Sequence, residues 1–189
     1  MAAAFDALGE AYGPVRILVN CAGIFPAASM DDTSDEDWAT VLDVNLSGMF
    51  RCCRSAAAIM RAKGEGGVIV NFGSTNSFKP GRPNMATYTV SKHGVLGLTR
   101  ALALELAPDN IRVVGIAPGT VDTPGVAEMA STFEAAGLGN LPARVAAQVP
   151  LGRMLVPDDV ARVVVFAASD LAAMVTGDTI LVEGGRLTV

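Results

Sequence analysis

The fold is decided by the stretch VIVNFGSTNSFKPGRPNMATYTVSKHGVLGLTRALALELAPDNIRVVGIAPG, residues 68–119. Its first five residues form a short, largely apolar run that Gly73 closes, and residues 111–116 form a second run of this kind. Such runs indicate strands that are buried on both faces of a sheet. Between them, residues 86–107 show helical periodicity, with a proline just past the end. A helix of this length between two buried strands predicts a parallel crossover.

The same alternation of strands and helices continues on both sides of this stretch. A capping box of Thr33 and Glu36 indicates that a long helix starts near Ser34. The other predicted elements are a helix at 2–12, the continuation of the long helix to about residue 61, a helix at 158–168 and a strand at 179–182. Residues 17–19 form another short, wholly apolar run and predict a strand buried on both faces. We therefore predict an α/β fold with four strands in one mostly parallel sheet.

The composition excludes several classes of protein. The chain has 189 residues, of which 51% are hydrophobic and 17% charged, as in a globular domain. The net charge of −5 comes without a cluster of Lys or Arg, so we expect no nucleic-acid partner. No apolar run reaches the ~18 residues of a spanning helix, so we expect no membrane partner. Cys21, Cys52 and Cys53 fit neither a disulfide framework nor a metal site, and they favour a reducing, cytoplasmic location.

The position of a functional site follows from the parallel sheet. Ligands of such sheets bind beyond the carboxyl ends of the strands. Four segments occupy those ends, namely residues 20–23, 73–74, 118–119 and the tail after residue 182. We expect the functional side chains in or near these segments.

Tyr88 and Lys92 are candidate proton-transfer residues at the start of the second long helix. Their spacing places both side chains on one face of that helix. A lysine ammonium favours the phenolate form, so we expect it to lower the tyrosine pKa from its ordinary ~10. The pair could then pass a proton to or from a substrate oxygen. The alternative is a tyrosine that packs against a lysine stem on the helix surface.

Two further polar residues support the first interpretation. Ser74 follows a buried strand, where its hydroxyl can hydrogen-bond a developing oxyanion, although a serine is also common in ordinary turns. Asn45 lies inside the first long helix, where asparagine is mildly unfavourable. It is either an exposed residue without a role or a residue that bends the helix and orders a water near Lys92.

Six segments, taken in chain order, resemble the short-chain dehydrogenase/reductase family of the classical type. They are LVNCAG (18–23), VNL (44–46), VNFGS (70–74), YTVSK (88–92), NIRV (110–113) with APGTVDTP (117–124), and TGD (176–178) with VEGG (182–185). Cys21 replaces the second Asn of the family's turn, and Glu183 stands where Asp is usual. The resemblance implies a partial Rossmann-like, doubly wound parallel sheet in a single incomplete domain of residues 1–189.

The resemblance also implies an NAD(P)-dependent oxidoreductase that interconverts a secondary alcohol and a ketone. Tyr88 would be the general acid/base and Lys92 would lower its pKa and hold the nicotinamide ribose. Ser74 would position the substrate oxygen, and Asn45 would anchor a water in the proton relay. The implied cofactor-binding residues are Asn20, Ala22 and Gly23 on the adenosine side, and Tyr88, Lys92, Pro118, Gly119, Val121 and Thr123 on the nicotinamide side. No metal ligand is implied.

The sequence departs from the family pattern at its N-terminal end. It has no glycine-rich turn, and no strand end that would choose between NAD and NADP. Backbone N–H groups at the helix after that turn bind the pyrophosphate, so we expect the chain alone to bind NAD or NADP weakly. We interpret the chain as a truncated form in which the strand at 17–19 presents an exposed apolar edge. The alternatives are a genuine shortened relative, and a catalytically silent fragment that acts only as an assembly or interaction partner.

Residues 120–150 resemble the substrate-covering lid of the family, with the apolar residues Val126, Met129, Phe133, Leu138, Leu141, Val145 and Val149. An amphipathic segment that packs on the core would show the same pattern. If the segment is a lid, the small-molecule alcohol or ketone substrate is fairly apolar. The resemblance further implies a homo-oligomer, either a dimer or a tetramer.

Overall fold

A parallel sheet forms the centre of the computed structural model, which describes residues 2–135 and 139–188. The strands within these ranges are β1 (Ile17–Asn20), β2 (Gly67–Phe72), β3 (Ile111–Pro118) and β4 (Thr179–Val182), side by side in chain order. In the register, Val70 of β2 lies beside Val19 of β1 and Val114 of β3. The predicted α/β fold with one parallel sheet is confirmed.

Helices cover both faces of the sheet, as in a doubly wound fold. They are α1 (Ala2–Tyr12), α2 (Asp35–Leu42), α3 (Gly48–Lys63), α4 (Ala86–Leu106), α5 (Pro124–Ala135), α6 (Leu141–Ala146) and α7 (Pro157–Ala168). Helices α3 and α4 pack on one face, and α7 packs on the other, over β2, β3 and β4. Within the described ranges, no helix is both long and apolar enough to cross a membrane.

Successive residues of the central strands face opposite sides of the sheet and so build two cores. Ile69 and Val113 are fully buried beneath α3 and α4, and they belong to the same core as Met60 of α3. Their neighbours Val70 and Val114 are equally buried beneath α7. The central strands are thus fixed from both sides, which gives the carboxyl ends of β2 and β3 a rigid support.

The first long helix begins where it was expected, but with a different cap. Ser34 is the N-cap, its hydroxyl accepts from the Asp37 amide, and the Asp37 carboxylate accepts from Ser34 in return. The predicted box of Thr33 and Glu36 is therefore wrong by one residue. The Thr33 hydroxyl instead donates to the Ser29 carbonyl, which leaves it outside the helix. The helix continues from α2 through a π-helical turn, Asp43–Ser47, into α3.

Strand β1 is less buried than its sequence predicts. Ile17 and Val19 are 52% and 42% exposed, whereas full burial on both faces was expected. Leu18, which faces the other way, packs against the core under α3. The difference arises because β1 is an edge strand and α7 lies over the other strands. The predicted exposed apolar edge is therefore present.

The segment that resembles a lid contains α5 and α6. Val145 and Val149 are buried, and Val126 is half-buried. Leu138 belongs to residues 136–138, which lie outside the described ranges. The segment lies over the carboxyl ends of the strands, where it forms one wall of a cavity.

Candidate active site

A cavity of about 490 Å³ opens at the carboxyl ends of β2 and β3. Its wall contains five of the predicted site residues, Ser74, Tyr88, Gly119, Val121 and Thr123. The wall also contains the apolar side chains of Phe25, Met85, Val126, Leu141 and Val145, and polar side chains that include Arg82, Arg144, Gln148 and Arg186. Pro118 ends β3 directly before this loop, in register with Val182. The structure thus brings the serine and the tyrosine together with the loop that the family resemblance assigns to the nicotinamide.

The Tyr88 side chain lies in this wall next to Ser74 and Phe25. Its hydroxyl is near enough to the Ser74 side chain for that side chain to influence the Tyr88 pKa. Its ring meets the Phe25 ring edge to face, with 6.4 Å between the centroids. Burial raises the pKa of Tyr88 above its ordinary value, and the neighbouring Ser74 side chain opposes that rise. The phenol is therefore protonated at neutral pH.

Lys92 is buried one helical turn after Tyr88 and is tied to the sheet. Its ammonium donates to the Phe72 carbonyl at 2.8 Å and lies 5.7 Å from the centroid of the Tyr88 ring. Burial lowers the pKa of Lys92 to about 8, against a smaller opposing effect of Cys21. The expected lowering of the tyrosine pKa is absent. The physical reason is that desolvation is the largest influence on the Tyr88 pKa, while the ammonium lies against the ring and bonds a carbonyl.

Ser74 caps a short turn at the end of β2. Its hydroxyl oxygen accepts from the Asn76 amide at 3.1 Å, which leaves the hydroxyl hydrogen to donate elsewhere. Ser77 fixes this turn to α4, because its hydroxyl accepts from the Ser74 amide and donates to the Lys92 carbonyl. The sequence interpretation missed Ser77, whose role depends on a contact between segments 15 residues apart.

Asn45 lies in the π-helical turn and is fully buried. Its amide pairs with the backbone of Ile24, accepting from the Ile24 N–H and donating to the Ile24 carbonyl, each at 2.8 Å. It also donates to the Ser91 hydroxyl at 3.1 Å, and Ser91 in turn donates to the Tyr88 carbonyl. The alternative of an exposed asparagine without a role is therefore wrong. Asn45 ties the turn after β1 to the helix that carries Tyr88.

The three residues assigned to the adenosine side lie at the end of β1, away from the cavity wall. Asn20 is buried and donates to the Asn71 side chain at 2.9 Å, so it braces β1 against β2. Ala22 and Gly23 are exposed. A Cβ on Gly23 would lie 3.2 Å from Asn45 Oδ1 and 3.5 Å from Lys92 Nζ, so this turn passes close over the lysine. Because Gly23 has no side chain and is exposed, a ligand could bind directly against the backbone of this turn.

Comparison with known proteins agrees with this geometry. Residues 1–186 match the family model described as enoyl-(acyl carrier protein) reductase. The 3beta-hydroxysteroid dehydrogenase 1 of Eggerthella lenta is 43% identical over 97% of this chain and 67% of its own length. The 3alpha-hydroxysteroid dehydrogenase of Mediterraneibacter gnavus is 41% identical over 93% of this chain and 66% of its own length. The chain belongs to the short-chain dehydrogenase/reductase family.

A solved structure supports this assignment of the chain as a short-chain dehydrogenase/reductase. The gluconate 5-dehydrogenase of Burkholderia cenocepacia J2315, in complex with NADP and tartrate, superposes with a TM-score of 0.90 at 31% identity. The match covers 100% of this chain and 71% of that one. This short-chain dehydrogenase/reductase thus spans about two thirds of the length of the curated relatives that it matches.

Within the described ranges, no group of three or more His, Cys, Asp or Glu side chains is arranged to hold a metal ion. The residues present do fit part of a nicotinamide cofactor. The resemblance places the cofactor at the carboxyl ends of the strands. Near these ends lie the close backbone at Gly23, the buried Lys92, and the loop at Pro118 and Gly119.

Proposed function

We propose that this chain carries the catalytic centre of an NAD(P)-dependent oxidoreductase that interconverts a secondary alcohol and a ketone. The observation that carries the proposal is that Tyr88 and Ser74 line the wall of the same cavity, with Lys92 fixed one helical turn after Tyr88 by its bond to the Phe72 carbonyl. The phenolic hydroxyl of Tyr88 and the more weakly acidic hydroxyl of Ser74 therefore face the same cavity. This arrangement suits proton transfer to a single substrate oxygen.

The chemistry of the protein residues is proton transfer and charge stabilisation. A bound nicotinamide supplies or accepts the hydride. Because its pKa is raised, Tyr88 is a proton donor at neutral pH and can protonate the oxygen of a ketone. Ser74 can donate to the same oxygen, because its bond with the Asn76 amide uses a lone pair of the hydroxyl and leaves the hydroxyl hydrogen to donate. Lys92, with a pKa of about 8, can return a proton towards Tyr88 and exchange with solvent near neutral pH.

For Asn45 we propose a role in the same relay. Its Oδ1 has two lone pairs, and the Ile24 amide uses one of them. The second lone pair can hold a water, as the family resemblance implies. Its other contacts position Ile24 and Ser91, so the side chain also acts as a brace between the β1 turn and α4.

Cofactor binding is proposed for the residues that the resemblance assigns. Asn20, Ala22 and Gly23 would form the adenosine side, and Lys92 would hold the nicotinamide ribose. Pro118, Gly119, Val121, Thr123 and Tyr88 would line the nicotinamide side. We expect the 189-residue chain to bind NAD or NADP weakly by itself, since its sequence lacks the glycine-rich turn.

The proposed substrate is a small alcohol or ketone with an apolar portion, because Phe25, Met85 and Leu141 line the cavity. The relatives act on hydroxysteroids and gluconate, which are secondary alcohols of very different size. We also propose a homo-oligomer, a dimer or a tetramer, as the family resemblance implies.

The test is hydride transfer by a completed polypeptide. The N-terminal portion of a full-length family member, which by the family resemblance contains the glycine-rich turn, is fused to this chain. The Eggerthella lenta relative, which is 43% identical over the matched region, is the donor. Reduction of NAD⁺ and NADP⁺ is followed with a 3-hydroxysteroid and with gluconate. Turnover with either alcohol supports the proposal. A folded fusion that binds the cofactor but oxidises no secondary alcohol and reduces no ketone would overturn it.

The exposed edge at β1 favours a second candidate function, that of an assembly partner without activity. Ile17 and Val19 present apolar surface on an edge strand, which promotes pairing with another chain. This function predicts concentration-dependent association in sedimentation experiments, lost in the double variant Ile17→Lys/Val19→Lys, together with an inactive fusion. An active fusion would leave the oxidoreductase as the primary function.

A further inference from the structure

Arg186 contributes a positive charge to the same cavity that contains Tyr88 and Ser74. A short turn separates it from β4, and in this turn Gly184 and Gly185 have φ values of 66° and 90°. These are left-handed values that favour glycine. The turn directs the side chain of Arg186 back over the carboxyl ends of the strands instead of outwards.

The guanidinium group of Arg186 is held by two neutral acceptors from separate segments. Nη1 donates to the Thr120 hydroxyl at 3.3 Å, and Nη2 donates to the Gln148 side-chain carbonyl at 2.8 Å. A guanidinium has five N–H donors, so about three remain for another partner. Because the side chain is half-buried and bonded at both terminal nitrogens, its remaining donors are presented in a fixed direction.

No carboxylate of a described residue lies within 4.0 Å of this guanidinium. Other arginines of the chain do form ion pairs, all at the surface. Those pairs involve Arg16, Arg51, Arg61, Arg153 and Arg162. The acidic residue nearest in sequence, Glu183, uses its two oxygens to accept from the backbone amides of Gly185 and Leu187. Among the described residues of the cavity wall there is no Asp or Glu at all. The wall does contain two further arginines, Arg82 and Arg144, which add positive charge to the cavity. A half-buried cation whose own hydrogen-bond acceptors are neutral is electrostatically suited to an anionic ligand.

We propose that Arg186 binds an anionic group of the substrate, a carboxylate or a phosphate. The inference rests on the proposed function, from which it takes the cavity as the substrate site and Tyr88 as the position of the reacting oxygen. The apolar wall formed by Phe25, Met85 and Leu141 lies in the same cavity. The substrate class is therefore a hydroxy or oxo acid, or a phosphate ester, with an apolar portion between the reacting carbon and the anion.

The experiment compares matched charged and neutral ligands by calorimetry on the 189-residue chain, without cofactor. The carboxylate pair is 7-oxooctanoate and its methyl ester, and the phosphate pair is 6-oxoheptyl phosphate and 7-hydroxyheptan-2-one. The variants are Arg186→Gln and Arg186→Lys, with Arg162→Gln as the matched control. The Arg162 side chain is 80% exposed, pairs with Asp158 on α7 and does not line the cavity.

At least one charged ligand should bind about tenfold or more tightly than its neutral partner, as expected for a charge-assisted pair. Arg186→Gln should remove this preference while leaving the affinity for the neutral partner unchanged, and Arg186→Lys should keep part of it. Arg162→Gln should behave as the parent. The carboxylate and phosphate pairs show which of the two anions is recognised.

Equal affinity for charged and neutral ligands in the parent would overturn the inference, as would a preference that survives in Arg186→Gln. Failure of both acids to bind at millimolar concentration would also overturn it. These outcomes are separate from the fate of the proposed function, which depends on turnover by the fusion. A fusion that oxidises alcohols while showing no preference for charged ligands would retain the oxidoreductase and exclude the anion site.

Discussion

Replacing Lys92 by methionine should change how the stability of the protein depends on pH. Lys92 is 4% exposed, and its pKa falls from 10.5 to about 8 on folding because burial penalises the ammonium form. At 1.36 kcal/mol per pH unit, that difference corresponds to about 3 kcal/mol. Below pH 8 the lysine is protonated in both states, and the folded protein carries this full cost. Between pH 8 and 10.5 the unfolded chain holds more protons, so stability rises with pH.

Methionine has a similar shape and cannot titrate, so the Lys92→Met variant lacks this pH dependence. The variant also leaves the Phe72 carbonyl without its donor, at a cost of about 1–3 kcal/mol that is the same at every pH. The free energy of unfolding of the parent minus that of the variant should therefore increase by about 3 kcal/mol between pH 7 and pH 10.5.

The assay is urea denaturation followed by circular dichroism at a series of pH values. Lys79→Met, at an exposed lysine, is the matched control and should follow the parent across the series. Titratable groups distant from Lys92 are common to parent and variant, so their contributions cancel in the difference. A difference between parent and Lys92→Met that stays constant within about 0.5 kcal/mol from pH 7 to 10.5 would refute the buried-ammonium reasoning.

Three further outcomes are expected. Asn45→Ala should lower the free energy of unfolding by about 2–4 kcal/mol in urea denaturation, because the Ile24 backbone loses both of its partners; a change below about 0.5 kcal/mol would contradict this role. In α4, Gly97→Ala should stabilise by about 0.5–1 kcal/mol, since a Cβ there meets nothing within 4 Å. Gly94→Ala should be about 1–3 kcal/mol less stable than Gly97→Ala, because its Cβ would lie 2.7 Å from the Leu46 side chain. Equal thermal midpoints of the two variants would contradict the close packing of Gly94 against Leu46. Calorimetry of the 189-residue chain should detect no micromolar affinity for NADH or NADPH, and such an affinity would show that the cofactor needs no glycine-rich turn.

The sequence predicts the sheet well because its strands are apolar runs bounded by turn residues. The central strands were expected at 68–72 and 111–116, and the structure has Gly67–Phe72 and Ile111–Pro118. The helix expected at 86–107 runs over Ala86–Leu106. These elements depend on local periodicity and on punctuation by Gly and Pro, both of which are visible without tertiary contacts.

Apart from the capping box, which was placed one residue too early, the failures concern properties that depend on neighbours in space. The exposure of Ile17 and Val19 follows from which strands α7 covers, and the sequence of β1 does not contain that information. The direction of the Tyr88 pKa depends on the depth of burial and on the ammonium position, whereas spacing shows only that Lys92 shares its helix face. Arg186 has no periodic or motif signal, and its place in the cavity wall follows from the turn before it.

The most direct test of the proposed catalytic centre compares the two tyrosines of the chain in the active fusion. Tyr88→Phe should reduce the turnover number by about 10²–10⁴-fold, as expected for the loss of a general acid/base, while the cofactor dissociation constant stays nearly unchanged. Tyr12→Phe, at a side chain that is 86% exposed in α1, should leave turnover at the parent level. Turnover of Tyr88→Phe within about threefold of the parent would contradict the role of Tyr88 as the proton donor.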